Sequence, residues 1–183
     1  MNTPRVTILV PARNEAHDID RCLNAVFAQD FPHERMEIIV VDGASTDGTG
    51  ERAAELLAAG DITWRVLHNP TGTTPSNLNL GLGAASGSVV CRVDARSVIP
   101  PDYVSRCAGI LWQRPDIAVV GGAQVAIEVG PPSSWAAAIS RALNNAYFTG
   151  GSRYRARGAS GPTDTVYLGA FRTPDLRETG GWD

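Results

Sequence analysis

EIIVVDGASTDGT, residues 37–49, is the stretch that decides how this chain folds. Glu37 to Val41 is apolar and β-branched after its first residue, as a strand buried on both faces must be. A turn of small and polar residues follows, and Ala53, Leu56 and Leu57 then recur at helical spacing. Strand, loop, helix is therefore the unit, and it repeats in both directions. Upstream, Val6 to Val10 is a β-branched strand, PARNE (residues 11–15) a turn, and Ile19, Cys22, Leu23, Val26 and Phe27 one face of a helix. Downstream, Trp64 to Leu67 reads as a strand, and Thr74-Pro75 caps and opens a helix through Leu78 and Leu82. Ser88 to Val93 is the next strand. This alternation predicts an α/β fold: a Rossmann-like, mostly parallel sheet with helices on both faces. Ligands of such sheets bind beyond the carboxyl ends of the strands, where Pro11, Asp42 and Asp94 all stand.

The second part of the chain is less regular. Pro101 opens a helix carrying Val104, Cys107, Ile110 and Leu111, and Ile117 to Ile127 reads as a long strand interrupted by Gly121-Gly122, a sign of a bulge or close approach. Trp135 to Phe148 has one apolar helical face. Thr149 to Thr165 is rich in Gly, Ser and Arg and reads as a mobile loop, and Val166 to Phe171 is a last strand. Trp112, Trp135 and Trp182 are candidates for the core. With no linker or internal repeat, residues 1–183 are expected to form one domain, with the regular part at 1–98 and the less regular part at 99–183.

Composition excludes several classes. Lys and Arg number 16 against 19 Asp and Glu, a net charge of -3, which lacks the broad basic surface that nucleic-acid binding needs. Any anionic ligand has to be held locally. Cys22, Cys91 and Cys107 lie scattered in apolar segments, a pattern of reduced core thiols in a cytoplasmic protein rather than a disulfide framework. His17, His33 and His68 are widely spaced and read as surface residues.

Three constellations carry chemistry. In PARNE, backbone groups between a buried strand and a helix can read a base edge and favour an anion; the competing reading is that Asn14 and Glu15 cap the helix. In VVDGASTDGT, Asp42 ends an apolar strand, from which a carboxylate can accept from a pyrimidine imide N–H or from ribose hydroxyls. Ser45 and Asp47 read as turn and cap residues. In VCRVDARS, Asp94 ends another apolar strand, where a carboxylate is costly without a partner. Arg153, Arg155 and Arg157 cluster in the loop and read as solvated.

Taken in order, VTILVPARNE, IIVVDGASTDGT and VCRVDARS, with a strand after Gly121-Gly122, resemble family 2 glycosyltransferases of the GT-A fold. The stretch GTTPSNLNLGLGAASGSVVCRVDARSVIPPDYV looks most like the branch that builds bacterial exopolysaccharides, related to succinoglycan biosynthesis transferases. The resemblance implies an inverting transfer of a hexose from a nucleotide-diphosphate sugar, with UDP as the expected nucleotide, to a saccharide or lipid-linked acceptor. It implies Pro11, Ala12, Arg13 and Glu15 around base and ribose, and Asp42 facing the base. Asp94, Ala95 and Arg96 would lie at the ribose and diphosphate, with Asp94 the ligand of a divalent cation, Mn or Mg. Asp164 and Trp182 would border the acceptor.

Three departures qualify that expectation. Arg96 stands where many relatives carry a second metal ligand, and a cation there can instead pair with diphosphate oxygens or swing to solvent; Gly72 to Asn77 lacks the basic residue that many carry before the third helix. Relatives also place their base in an E-D pair shortly after G-G-[FW]-D-E, whereas this sequence ends at Gly180-Gly181-Trp182-Asp183. The resemblance therefore implies a longer chain, with the base, a Q-x-x-R-W-type motif and a route to the inner membrane face beyond this region; Asp183 is the nearest carboxylate for the role. A nucleotidyltransferase and a non-catalytic nucleotide-binding module are the competing readings. PARNEAHD contains no glycine, which argues against the phosphate loop of the former.

Overall fold

A computed structural model describes residues 5–127, 131, 134–145, 160–163 and 165–183. The elements follow in order: β1 (Val6–Ala12), α1 (Ile19–Phe27), a 3-10 turn (His33–Arg35), β2 (Met36–Asp42), α2 (Thr49–Ala58), β3 (Thr63–His68), α3 (Thr74–Ala84), β4 (Val89–Arg92), α4 (Tyr103–Gln113), β5 (Val119–Gly122), α5 (Trp135–Leu143), β6 (Tyr167–Arg172) and α6 (Thr173–Glu178). The chain divides into two compact units, Met1–Val120 with Ala170–Asp183, and Gly121–Gly169.

The sheet has six strands in the order β3-β2-β1-β4-β6-β5. β1 pairs in parallel with β2 and β4, and β2 with β3, while β6 runs antiparallel to β4. Every residue of β1 and β2 is buried. Since successive strand residues point to opposite faces, both faces of the sheet are covered at its centre. On one face Leu9, Ile39, Val41 and Val90 pack with Leu78 and Leu82 of α3 and Leu176 of α6. Gly81 permits that approach, because a methyl group there would strike the Leu9 side chain. Ile8, Val10, Ile38 and Val40 are fully buried on the other face.

At the amino edge of the sheet, Glu37 gathers the turn between α3 and β4. Its Oε1 accepts from the Thr7 hydroxyl and from the Ser86 and Gly87 amides, and its Oε2 from Arg65 at 3.1 Å. Burial is the largest influence on this carboxyl and pushes its pKa up. The hydrogen bonds from Thr7, Ser86 and Arg65 together outweigh it and hold the group below its ordinary range.

Two expectations need correcting. The strand expected to reach Ile127 ends at Gly122, and the backbone at Ala126 and Ile127 is claimed by Asn144, which ends α5, and by Ser140 within it rather than by a neighbouring strand. The Asn144 amide brackets Ala126, accepting from its N–H at 2.8 Å and donating to its carbonyl at 2.7 Å, and the Ser140 hydroxyl donates to the Ile127 carbonyl at 2.9 Å. The double glycine does mark a close approach: a methyl on Gly121 would stand 2.5 Å from the Tyr167 carbonyl oxygen. Secondly, Trp112 and Trp135 are 58% and 87% exposed and do not belong to the core. Residues 146–159, which hold the end of the Trp135 to Phe148 segment and most of the Thr149 to Thr165 segment with Arg153, Arg155 and Arg157, lie outside the described residues.

Helix α6 was not foreseen. Six residues are too few for periodicity to show, and only Thr173-Pro174 signals a start. Preceding it, the Arg172 guanidinium donates to the carbonyls of Leu111, Arg114 and Ile117, which satisfies the end of α4 and fixes β6 beside β4.

Cys22, Cys91 and Cys107 are free and buried, as the sequence suggested. Burial pushes the thiols of Cys22 and Cys107 up to about 12 and about 11, and that of Cys91 well above its ordinary value of 9.0. Because the folded pKa values are raised, the stability they protect is complete below pH 9 and is lost as pH rises toward the folded values. At one unit above the unfolded pKa, each thiol contributes about 1.4 kcal/mol to that loss. We expect the urea midpoint to fall between pH 8 and pH 10 by an amount equivalent to about 4 kcal/mol, and Cys→Ser variants to flatten the dependence.

Candidate functional site

The order of the sheet reverses direction at β1 and β4, so the loops after β1, β2 and β4 gather at one rim around that switch point. Asp42 closes β2 and stands in register with Ala12 on one side and His68 on the other. It is 8% exposed. Its Oδ1 accepts from the Ser45 amide at 3.3 Å and its Oδ2 faces His68 Nδ1 at 3.4 Å. Gly50 in the first turn of α2 lies against the same carboxylate, where the helix amino terminus favours negative charge.

Asp94 follows β4 by two residues. The Val93 amide donates to the Leu9 carbonyl at 2.9 Å, which continues the parallel register and brings Asp94 beside Pro11. Asp42 and Asp94 thus flank the end of β1, two strand spacings or on the order of 10 Å apart. Arg92 donates to both Asp94 oxygens, Nε at 2.7 Å and Nη2 at 3.2 Å, and supplies the partner that an acid ending an apolar strand requires. Ala95, next in the chain, is buried.

The PARNE loop is laced to the loop after β2. The Asn14 amide donates to the Ser45 hydroxyl at 2.9 Å, and Asn14 Oδ1 accepts from the Thr46 amide at 2.9 Å. The Glu15 amide donates to Thr49 Oγ1 at 2.8 Å, and the Ala16 amide to Asp47 Oδ2 at 3.1 Å. Asp47 also accepts from the Thr49 amide at 3.1 Å, a turn bond two residues on; the N-cap of α2 is Gly48, not the expected Asp47. Asn14 adopts a φ of 55°, a left-handed turn that asparagine tolerates. Neither Asn14 nor Glu15 caps α1 with its side chain. Glu15 accepts instead from Arg96 Nε at 2.7 Å, joining the loops after β1 and β4.

Arg13 reaches across to the loop before α3, donating to the Gly72 carbonyl at 3.1 Å. Gly72 has a φ of 65° with the Arg13 guanidinium and the Gly43 carbonyl packed against it, a place only glycine fills without strain. Thr73 caps α3, one residue before the expected Thr74. Asn69, Ser76 and Asn77 complete this wall, with the Asn69 amide donating to both of the others at 2.8 Å.

Pro11, Ala12, Arg13, Glu15, Asp42, Asp94, Ala95 and Arg96 therefore assemble at one rim. Trp182 and Asp183 belong to another environment. The Trp182 ring meets Phe171 edge to face at 5.7 Å, and its backbone is clamped by Asn79, with the Trp182 amide donating at 2.8 Å and its carbonyl accepting at 2.6 Å. Asp183 is exposed, and Asp164 lies outside the described residues. His68 at Asp42 and Thr49 at Glu15 were missed; His68 lies in no motif and only the strand register brings it in, whereas Thr49 ends VVDGASTDGT and meets Glu15 across the paired loops. Among the described residues, no three or more His, Cys, Asp or Glu side chains group to hold a metal, and no helix is long and apolar enough to cross a membrane.

Loops gathered at the switch point of a mostly parallel sheet, with acids on both sides of the central strand, define an α/β domain of the doubly wound, GT-A class. The glycosyl transferase family 2 matches residues 7–177, and the chain belongs to that family. The glycosyltransferase AglE of Haloferax volcanii is 34% identical over 91 residues, covering 50% of this chain and 30% of that protein. The succinoglycan biosynthesis protein ExoA of Rhizobium meliloti is 28% identical over 182 residues, covering 96% and 52%. Among solved structures, the mannosyltransferase PcManGT of Pyrobaculum calidifontis in complex with GDP-Man and Mn2+ superposes with a TM-score of 0.71 at 26% identity, covering 100% of this chain and 48% of that one. The chain thus spans about a third to a half of the length of these relatives.

Proposed function

We propose that this chain binds the donor of an inverting hexosyl transfer from a nucleotide-diphosphate sugar, with UDP as the nucleotide, to a saccharide or lipid-linked hydroxyl in polysaccharide synthesis. The observation that carries the reading is the pair of strand-end acids, Asp42 and Asp94, on either side of β1. Asp42 accepts from the base or ribose. The laced loops from Pro11 to Glu15 and from Gly43 to Thr49 hold it in place, so little order has to be gained on binding. The kinship with a succinoglycan biosynthesis protein supports the polysaccharide assignment, and the superposition on a mannosyltransferase with GDP-Man and Mn2+ supports a sugar-nucleotide donor.

A divalent cation would have Asp94 as its protein ligand. One carboxylate suits an ion that arrives with diphosphate, since magnesium and its like keep waters and bind one or two carboxylates plus phosphate oxygens. Such an ion neutralises charge on the leaving diphosphate. Inversion further requires a carboxylate that takes the acceptor proton as the hydroxyl attacks, worth roughly 10²–10⁴-fold. Asp183 is the candidate within this chain, with Asp164 and Trp182 on the acceptor side. The reading also takes the protein to be cytoplasmic, at the inner face of the membrane, in keeping with three unpaired thiols.

Calorimetry with UDP, GDP and dTDP, with and without manganese, tests the proposal. Binding of UDP with affinity in the micromolar range supports it. Preference for another of the three changes the base and keeps the class, whereas binding of none removes the donor-site reading in favour of a module with a different ligand.

A further inference from the structure

The anion in this reading meets an unusual charge distribution. The loop from Gly72 to Asn77 holds no basic residue, and Arg92 is engaged on both its carboxylate contacts with Asp94. Arg13 is turned to the Gly72 carbonyl. Arg96 differs from both. Its side chain is 72% exposed, it leaves the strand-end loop two residues after Asp94, and its bond to Glu15 uses Nε alone. The guanidinium has four further N–H groups, arranged as the fork that matches phosphate oxygens. Glu15, by contrast, is only 14% exposed and is held by its backbone to Thr49, so the carboxylate is the fixed partner and the arginine the mobile one.

Resting on the nucleotide-sugar reading of this rim, we propose that Arg96 is a phosphate-gripping latch: it is parked on Glu15 in the empty protein and transfers to the donor's diphosphate on binding. An ion pair this exposed is weak, because water screens it and two side chains must be held still. A doubly charged diphosphate offers several acceptor oxygens in bidentate geometry, so the exchange favours the ligand. Departure of Arg96 also releases the Glu15 carboxylate toward the ribose hydroxyls, and one substitution in the strand-end motif couples both ends of the nucleotide. Where a second acid would add a metal ligand, this chain adds a cation of its own, so diphosphate recognition persists without metal.

The test compares UDP with UMP, and GDP with GMP, by calorimetry on the unsubstituted chain, Arg96→Ala and Arg96→Lys, in chelator and in manganese. In chelator the unsubstituted chain should prefer the diphosphate by about tenfold, the worth of a charge-assisted pair. Arg96→Ala should bring that ratio to within roughly twofold of one while the thermal midpoint holds, and Arg96→Lys should restore part of it. A ratio unchanged in Arg96→Ala, or a diphosphate preference that the unsubstituted chain shows only with manganese, overturns the latch and leaves the donor site standing. Binding of neither nucleotide overturns both.

Discussion

Replacing Asp42 by alanine should weaken UDP and UMP alike, on the order of 10- to 100-fold each, if UDP is the nucleotide bound. The factor follows from losing a charge-assisted hydrogen bond of about 1.5–3 kcal/mol to the base or ribose. Because Asp42 lies across β1 from Asp94, its loss should not alter the preference for diphosphate over monophosphate. That independence separates its role from the one assigned to Arg96. Calorimetry on the variant, beside its thermal midpoint, makes the comparison. A loss confined to the diphosphate would contradict the placement of Asp42 at the nucleoside end. His68 faces the same carboxylate and would then be the next residue to substitute.

The second large effect is on stability. Glu37→Ala should cost about 2–4 kcal/mol, read as a lower urea midpoint with an unchanged slope. The substitution leaves the Ser86 amide without its acceptor and takes one from the Gly87 amide and the Thr7 hydroxyl at a buried edge. The turn that aims β4, and hence Asp94, loses its anchor. Glu37→Gln retains an acceptor oxygen and should recover much of the loss. Since the folded carboxyl lies below its ordinary 4.5, the stability it gives is present above that pH and is lost as pH falls through the folded value. Stability of the alanine variant should therefore be less sensitive to acid than that of the unsubstituted chain.

The central sheet was legible because its signal is physical and local. Four consecutive apolar residues, Ile38 to Val41, leading to Asp42 cannot lie on a half-exposed strand, and alternation with helical spacing then dictates parallel pairing. The rim followed from the same logic: strands that run together end together, so Pro11, Asp42 and Asp94 converge without any side-chain information. What the sequence hid were the long-range partners. Nothing near Glu15 announces Arg96, 81 positions away, and nothing near Asp94 announces that its own neighbour Arg92 would close on it. Helix α6 and the early end of β5 were hidden as well. The end of β5 goes with Asn144 satisfying the Ala126 backbone, bonds that leave no periodic trace, and six residues are too few for α6 to show one.

Asp42 and Asp94 matter together only if a nucleotide spans the end of β1, and amide chemical shifts on titration with UDP or GDP report that directly. The largest changes should fall at Ala12, Arg13, Asp42, Gly43, Asp94 and Ala95, saturating with one affinity. Saturable shifts clustered elsewhere, with these six amides unmoved, would contradict it.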